Sequence, residues 1–348
     1  MTQLTNKERT VYFDILRIIA VFGVVLSHVT SQRFYDSFPS NEWTIRMVYN
    51  ALGRWSVPVF VMISGALFLN ASKRIDIKKL FTKNITRIIY VFLFWSVIYT
   101  IYEGINMNNL GGFVNRVLNG PFHFWFLKML IGLYITVPIL RAIVSNKKPE
   151  LYFICLALIT LSLTSLFFPA IGAYNTELKH RVIYLFNCFE IKLASGYVGL
   201  FVLGHYLNTY QIKPSLKKAI YIIGIISLFA ICLITYFVSN HIGAPYPDFF
   251  DVLNIFTIFE AISIFVLFKN IHIPCKYHSF LINVSKTTLG IYLIHVLLIH
   301  VSDGLFGINS SSLNPAFFVP VFSLLVFIIS SAIVSVMMRI PILKKFVL

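Results

Sequence analysis

Long apolar stretches, each close to the ~20 residues that carry a helix across a bilayer, recur along the chain with only short polar interruptions. They predict ten spans, at roughly 11–30, 47–70, 84–103, 122–144, 151–171, 182–208, 217–238, 250–269, 280–301 and 315–340. The runs are too continuous for barrel strands, which alternate over about ten residues, and a backbone in lipid must pair its polar groups internally. The expected fold is therefore all-α and polytopic, about ten transmembrane helices in a single domain over 1–348 with no soluble appendage. Arg17 sits near the start of the first run and no small-residue cleavage pattern follows it, so that run reads as a retained span rather than a signal peptide.

Composition agrees: 58% of residues are hydrophobic and 12% charged, with a mean hydropathy of +0.81, whereas a soluble domain carries about a quarter charged residues. The formal charge of +16 could suggest a nucleic-acid partner, but the basic residues stand in short blocks between apolar runs, which argues for membrane orientation instead. Counted on alternate sides of the spans, the 29 lysines and arginines divide 21 to 8. The richer side carries Lys7, Arg9, Arg17, the block Lys73, Arg74, Lys78, Lys79, Lys83 and Arg87, and later Arg141, Lys147, Lys213, Lys217, Lys269 and Arg339. The poorer side includes Arg33, Arg46, Arg54, Arg116, Lys128, Lys179 and Lys192. Positive-inside places the richer side, and both termini, in the cytoplasm. Cys155, Cys188, Cys232 and Cys275 lie far apart and suggest neither a metal site nor a disulfide framework.

Ionisable groups inside a span are costly enough to point to function. Arg17 lies near the inner end of the first span and His28 near its outer end, ~16 Å apart along a helix axis, a distance that a long flexible thioester arm covers. Arginine suits phosphate through its planar fork, and a neutral histidine takes a hydroxyl proton near neutral pH. Arg17 also reads as a snorkelling residue and His28 as an interfacial one. Asp14, three residues before Arg17, has the spacing to hold it as an ion pair. In the second span Arg54 needs a partner or water, Pro58 invites a kink, and Ser64-Gly65 allows close helix packing. Lys83 and Arg87, four apart on one helical face, can extend an inner phosphate site.

Four histidines fall in the outer layer, His28, His123 beside Trp125, His295 after Tyr292, and His300, although spacing does not show that they converge. Without an H-x-x-x-H or H-E-x-x-H pattern they do not read as a metal site. Glu190 and Glu260 look like buried acids available to Lys192, Arg54 or a histidine.

At these residues the chain resembles the acyltransferase-3 family of bacterial integral-membrane O-acyltransferases. The likeness rests on Asp14-x-x-Arg17 with ten residues to His28, Ser56 through Ser64-Gly65, His123-x-Trp125-Phe126 leading to Tyr134 and Pro138, and Ser285 through Gly290-x-Tyr292 to His295. Within the family it is similar to short stand-alone members such as the O-acetyltransferase of enterobacterial common antigen. The resemblance implies a multi-pass protein of the bacterial cytoplasmic membrane that moves an acyl group, usually acetyl, from cytoplasmic acyl-CoA to a hydroxyl of a cell-surface polysaccharide or lipid-linked sugar. It implies no permanently bound cofactor, acetyl-CoA being the donor substrate, and it leaves homo-oligomerisation open. Arg17 and His28 carry over as the functional pair; the spacing and topology read above add Asp14 beside them, Lys83 and Arg87 as expected acyl-CoA-binding residues, and Arg54, His123, Trp125, Tyr292 and His295 as the expected acceptor side. One departure is that Asn84 occupies the first position where members often show Arg-x-x-Arg, leaving Arg87 as the matching cation. The competing reading is an exporter or flippase of a surface polysaccharide, since intramembrane charges serve transport equally well.

Overall fold

The computed structural model describes residues 11–70, 76–104, 110–191 and 196–347. Lys7, Arg9, Lys73, Arg74 and Lys192 lie outside the described residues. Helices account for every regular element among the described residues, and nine helical segments there are long and apolar enough to cross a membrane. The chain is an all-α, multi-pass membrane protein.

The first pass is α1 (Val11–Ser31), followed by α2 (Asn41–Gly53) and α3 (Ser56–Phe68), which together make the second. A short α4 (Ile77–Lys79) and a π-helical turn at Leu80–Ile85 lead into α5 (Thr86–Tyr102), and then α6 (Leu110–Asn119) stays on the surface. After a 3-10 turn at Phe122–Phe124 come α7 (Trp125–Ile143), α8 (Lys147–Ser162), α9 (Phe168–Tyr174), α10 (Thr176–Asn187) and α11 (Tyr197–Thr209). The remaining passes are α12 (Pro214–Ile242), α13 (Ile255–Asn270), α14 (His278–Phe306) and α15 (Pro315–Met337), before a terminal α16 (Pro341–Lys344).

Helix α1 is the axis of this arrangement. Its first half, with Phe13, Leu16 and Ala20, packs into a core shared with α3, α7, α8, α11 and α13. Its second half, with Val21, Val25 and Val29, packs into another shared with α5, α14 and α15. The lipid-facing sides of α12 and α15 leave Ile225, Phe229, Phe237, Phe317 and Ile328 exposed, which is affordable only where the solvent is hydrocarbon.

Contacts between distant loops respect the two sides inferred from charge. Arg33 meets Asp303 at 3.4 Å and Lys179 meets Asp248 at 3.0 Å at the lysine-poor end. At the opposite end Arg141 donates to the Asn70 carbonyl at 3.0 Å, and Lys269 closes the end of α11 by donating to the carbonyls of Leu207, Asn208 and Tyr210. These ends are called outer and inner below.

Two spans differ from the sequence expectation. The second starts earlier, at Asn41, and breaks at Arg54-Trp55 rather than kinking at Pro58. Pro58 lies in the first turn of α3, where a missing N–H costs no helix hydrogen bond. The expected span over 182–208 resolves into an exposed α10, a turn and the short buried α11. Glu190, expected to be buried there, is exposed in that turn with φ of 50°. Polar residues between Asn187 and Gly196 interrupt the apolar run and favour the turn.

Close backbone packing fixes the inner scaffold. A Cβ on Gly65 would strike the Phe201 backbone, and one on Gly204 would strike Met62, so α3 and α11 cross at glycine contacts. Beside this crossing lies a buried pair that sequence reading passed over: His205 Nδ1 is 2.7 Å from Glu150 Oε1, with Nε2 3.3 Å from Thr209 Oγ1.

Candidate active site

At the inner end of α1 an acid has been taken fully out of solvent and held by Ser285 and Arg17 among its partners. Asp14 Oδ1 accepts from Ser285 Oγ of α14 at 2.7 Å and from Arg17 Nη1 at 3.3 Å. A buried carboxylate needs such donors, and in return it fixes the direction of Arg17, whose side chain stays 27% exposed and reaches a cavity. Tyr134 of α7 stands nearby; its hydroxyl contacts Ser64 of α3 and lies within electrostatic range of both Arg17 and Arg87.

Lys83, Asn84 and Arg87 are delivered to the same neighbourhood by the π-helical turn and the start of α5, and π turns inside helices are frequent at functional sites. With Tyr134 they line a cavity of about 280 Å³. Lys83 thus supplies a second cation beside Asn84, at the place where the family pattern expects an arginine.

At the outer end, α1 and α2 approach closely because Gly23 and Gly53 carry no side chain; a Cβ on either would overlap Ser56 or Ser27. This contact brings the α2–α3 break against α1. Arg54, standing in the break, donates from Nε to Asn50 Oδ1 at 2.6 Å and lies over the Phe250 ring with its guanidinium carbon 5.4 Å from the centroid. Asn50 in turn donates to Thr30 and Ser31 at 2.9 Å each, tying this arginine's support to the end of α1.

Beside Arg54 the three histidines meet. The His28 ring centroid is 5.1 Å from that of His295 and 6.1 Å from that of His123, and the latter two are 5.6 Å apart. His295 and His123 are buried, whereas His28 is partly open. Tyr292 holds His123 in place by donating its hydroxyl to the His123 carbonyl at 2.5 Å. His300, one turn further along α14, lines the outer space with His28.

Among the described residues, three cavities adjoin in series, the middle and outer ones lined in part by α1. The inner one, with Lys83 and Arg87, shares Leu130 and Leu289 with a middle cavity of about 260 Å³. The middle cavity runs from Arg17 past Ser64, Tyr292 and Trp125 to His28. It shares His28, Ser31, Arg54 and Trp125 with an outer cavity of about 500 Å³. Two cationic side chains therefore face one end of the series, and an imidazole beside an arginine faces the other.

Of the residues singled out from sequence, Arg17, Lys83 and Arg87 line the cavities toward the inner end and His28, Arg54, His123, Trp125 and Tyr292 toward the outer, whereas Asp14 and His295 line none of the three and stand against Arg17 and His28. Sequence reading assigned no role to Ser285, Tyr134 or Asn50. The first two lie in family-like motifs, and Asn50 stands one helical turn before Arg54, a spacing that could have flagged it. Glu260 is buried on α13, and its Oε1 has no hydrogen-bond partner among the described residues.

A family model described as an acyltransferase domain matches residues 10–336. No curated protein and no solved structure matches the chain. The matched stretch begins at the head of α1 and ends within the last turn of α15, taking in all three cavities and the residues that face them. On that coverage the chain belongs to the acyltransferase-3 family of membrane acyltransferases.

Proposed function

We propose that this membrane acyltransferase is an O-acyltransferase, in its simplest form an O-acetyltransferase. It takes the acyl group of acyl-CoA from the cytoplasmic side of a bacterial plasma membrane and passes it to a hydroxyl of a surface polysaccharide or lipid-linked sugar on the other side. The observation that carries this reading is the run of three adjoining cavities, with Lys83, Arg87 and Arg17 toward one end and His28 at the other.

The inner cations hold the CoA phosphates, Arg17 through a fork of donors kept in direction by Asp14. The arm carrying the thioester extends along the middle cavity toward His28. There the acceptor hydroxyl, entering through the outer cavity, loses its proton to His28 as its oxygen attacks the thioester carbonyl. The carbon–sulfur bond breaks, and the departing thiolate takes the proton from the imidazolium. A two-step route through an acyl-imidazole at His28 uses the same geometry. Arg54, beside His28, is placed to favour the negative charge that develops on the carbonyl oxygen.

The test uses membranes that carry the native acceptor, incubated with labelled acetyl-CoA. His28→Ala and Arg17→Ala should each abolish label transfer with protein abundance unchanged. Normal transfer by a well-expressed His28→Ala protein overturns the reading, and absence of transfer by the unaltered protein to any candidate sugar favours export.

A further inference from the structure

His295 is buried completely, yet only one of its ring nitrogens is spoken for. Its Nδ1 lies 3.0 Å from the carbonyl oxygen of Ile291, one turn back on α14. A carbonyl can only accept, so in the neutral ring Nδ1 carries the proton and Nε2 is left as a lone pair. That Nε2 has no hydrogen-bond partner among the described residues. Leaving a buried acceptor without a donor is costly, so a donor that completes it in the working enzyme is favoured.

The nearest imidazole is that of His28, at 5.1 Å between centroids with the planes at 49°. His28 borders both the middle and outer cavities, and its ring lies against that of His295 on α14. From this placement we propose that His295 is a positioning residue for His28. It accepts the N–H of His28 at Nε2, and so fixes the tautomer in which the other nitrogen of His28 is a bare base turned to the cavity. Catalytic hydrogen bonds are often long before substrate closes the site, and this one forms as the His28 ring turns its N–H toward Nε2.

The proton balance is complete. The acceptor hydroxyl gives its proton to the cavity-facing nitrogen of His28, while the original N–H of His28 stays on its donor nitrogen and strengthens its bond to His295 as the ring becomes positive. The proton then leaves with the CoA thiol, and His28 returns to its starting tautomer. Ile291 plays the last supporting part, since its carbonyl keeps Nδ1 as the protonated nitrogen of His295. This inference rests on His28 acting as the base of the acyl transfer proposed above.

The experiment compares His295→Leu, which removes the acceptor, with His295→Gln, whose side-chain carbonyl can replace Nε2. Purified proteins carrying ¹⁵N-labelled histidine are examined by imidazole ¹⁵N–¹H correlation, with the His28 signals identified by their loss in His28→Ala. The unaltered protein and His295→Gln should show one His28 tautomer, and His295→Leu a mixture. Labelled acetyl transfer in native membranes should fall at least about 100-fold in His295→Leu, with the KM for acetyl-CoA unchanged, and by less than about tenfold in His295→Gln. A single His28 tautomer in a folded His295→Leu protein overturns the inference, as does equal loss of turnover in both variants. So does scrambling of His28 by His123→Leu but not by His295→Leu. If His28→Ala keeps full transfer, the acyl-transfer reading fails as well; if only His295→Leu does, the inference alone fails.

Discussion

Two buried histidine sites in this chain have opposite designs. At the α8–α11 contact, His205 is 3% exposed and both its ring nitrogens are engaged, one with Glu150 and the other with Thr209. At the outer end of α1, His28 opens onto two cavities and His295 behind it keeps an Nε2 with no partner among the described residues. Both sites place titratable groups inside a membrane fold, so cost alone does not separate them. What separates them is unspent hydrogen-bonding capacity facing space large enough for a substrate. The His205–Glu150 pair, whose spare Glu150 Oε2 is buried and lines none of the three cavities, lies beside the place where α3 and α11 cross, and the open cluster has capacity left for chemistry.

That distinction predicts a clean division of mutational effects, and the largest belongs to the open site. His28→Ala should lower acetyl transfer by about 10³-fold or more, near the upper range for loss of a general base, with no change in thermal midpoint. A loss of stability as large as the loss of turnover would break the comparison, because His28 would then be saving the fold rather than serving the reaction.

Next in size is the reverse experiment at the sealed site. Glu150→Ala strands His205 without its partner, and breaking a buried pair of this kind costs about 3 kcal/mol of stability. Turnover per folded molecule should stay within twofold. Thermal unfolding in detergent, measured beside acetyl transfer normalised to folded protein, reads both quantities. Lost turnover at unchanged stability would place His205 in the catalytic machinery and end the contrast.

A smaller effect is expected at the inner cations. Arg87→Ala should raise the KM for acetyl-CoA about tenfold and leave kcat alone, as for a contact made equally in ground and transition states. The figure corresponds to ~1.4 kcal/mol, the weak end of a charge-assisted hydrogen bond, because in the proposed binding mode Lys83 and Arg17, which line the same series of cavities, remain to share the phosphates. A fall in kcat with KM unchanged would move Arg87 from the anchoring end of the series to the reacting end.

How far these sites could be read beforehand follows from the range of the forces involved. The spans and their sidedness are written in local hydropathy and in the charges that flank it, and loop contacts such as Lys179 with Asp248 agree with the sides so assigned. Arg17, Asp14 and His28 were legible because they share one helix, where spacing fixes geometry. The meeting of His28 with His123 and His295 was not, since it depends on how α1, α7 and α14 pack, which no local spacing encodes. Glu190 misled for the same reason: an average over 182–208 hides a turn that its polar residues create. His205 and Glu150 could have been suspected as ionisable groups in apolar runs, but their pairing over 55 positions required the fold.

The smallest prediction concerns a pair that looks strong on paper. Arg116 grips Glu103 through Nε at 2.6 Å and Nη2 at 2.5 Å, and this carboxylate hydrogen bond pushes the Arg116 guanidinium above its ordinary value. Yet the side chains are 37% and 31% exposed in the outer loops, where water and salt replace most of what the pair supplies. Arg116→Ala should therefore cost no more than about 0.5 kcal/mol, an effect that should vanish at high salt, and it should leave acetyl transfer unchanged. An effect on turnover would mean that the surface helix α6 communicates with the cavities. A null result would sharpen the contrast between the two histidine sites, because bond geometry better than that of His205 with Glu150 would then count for little without burial.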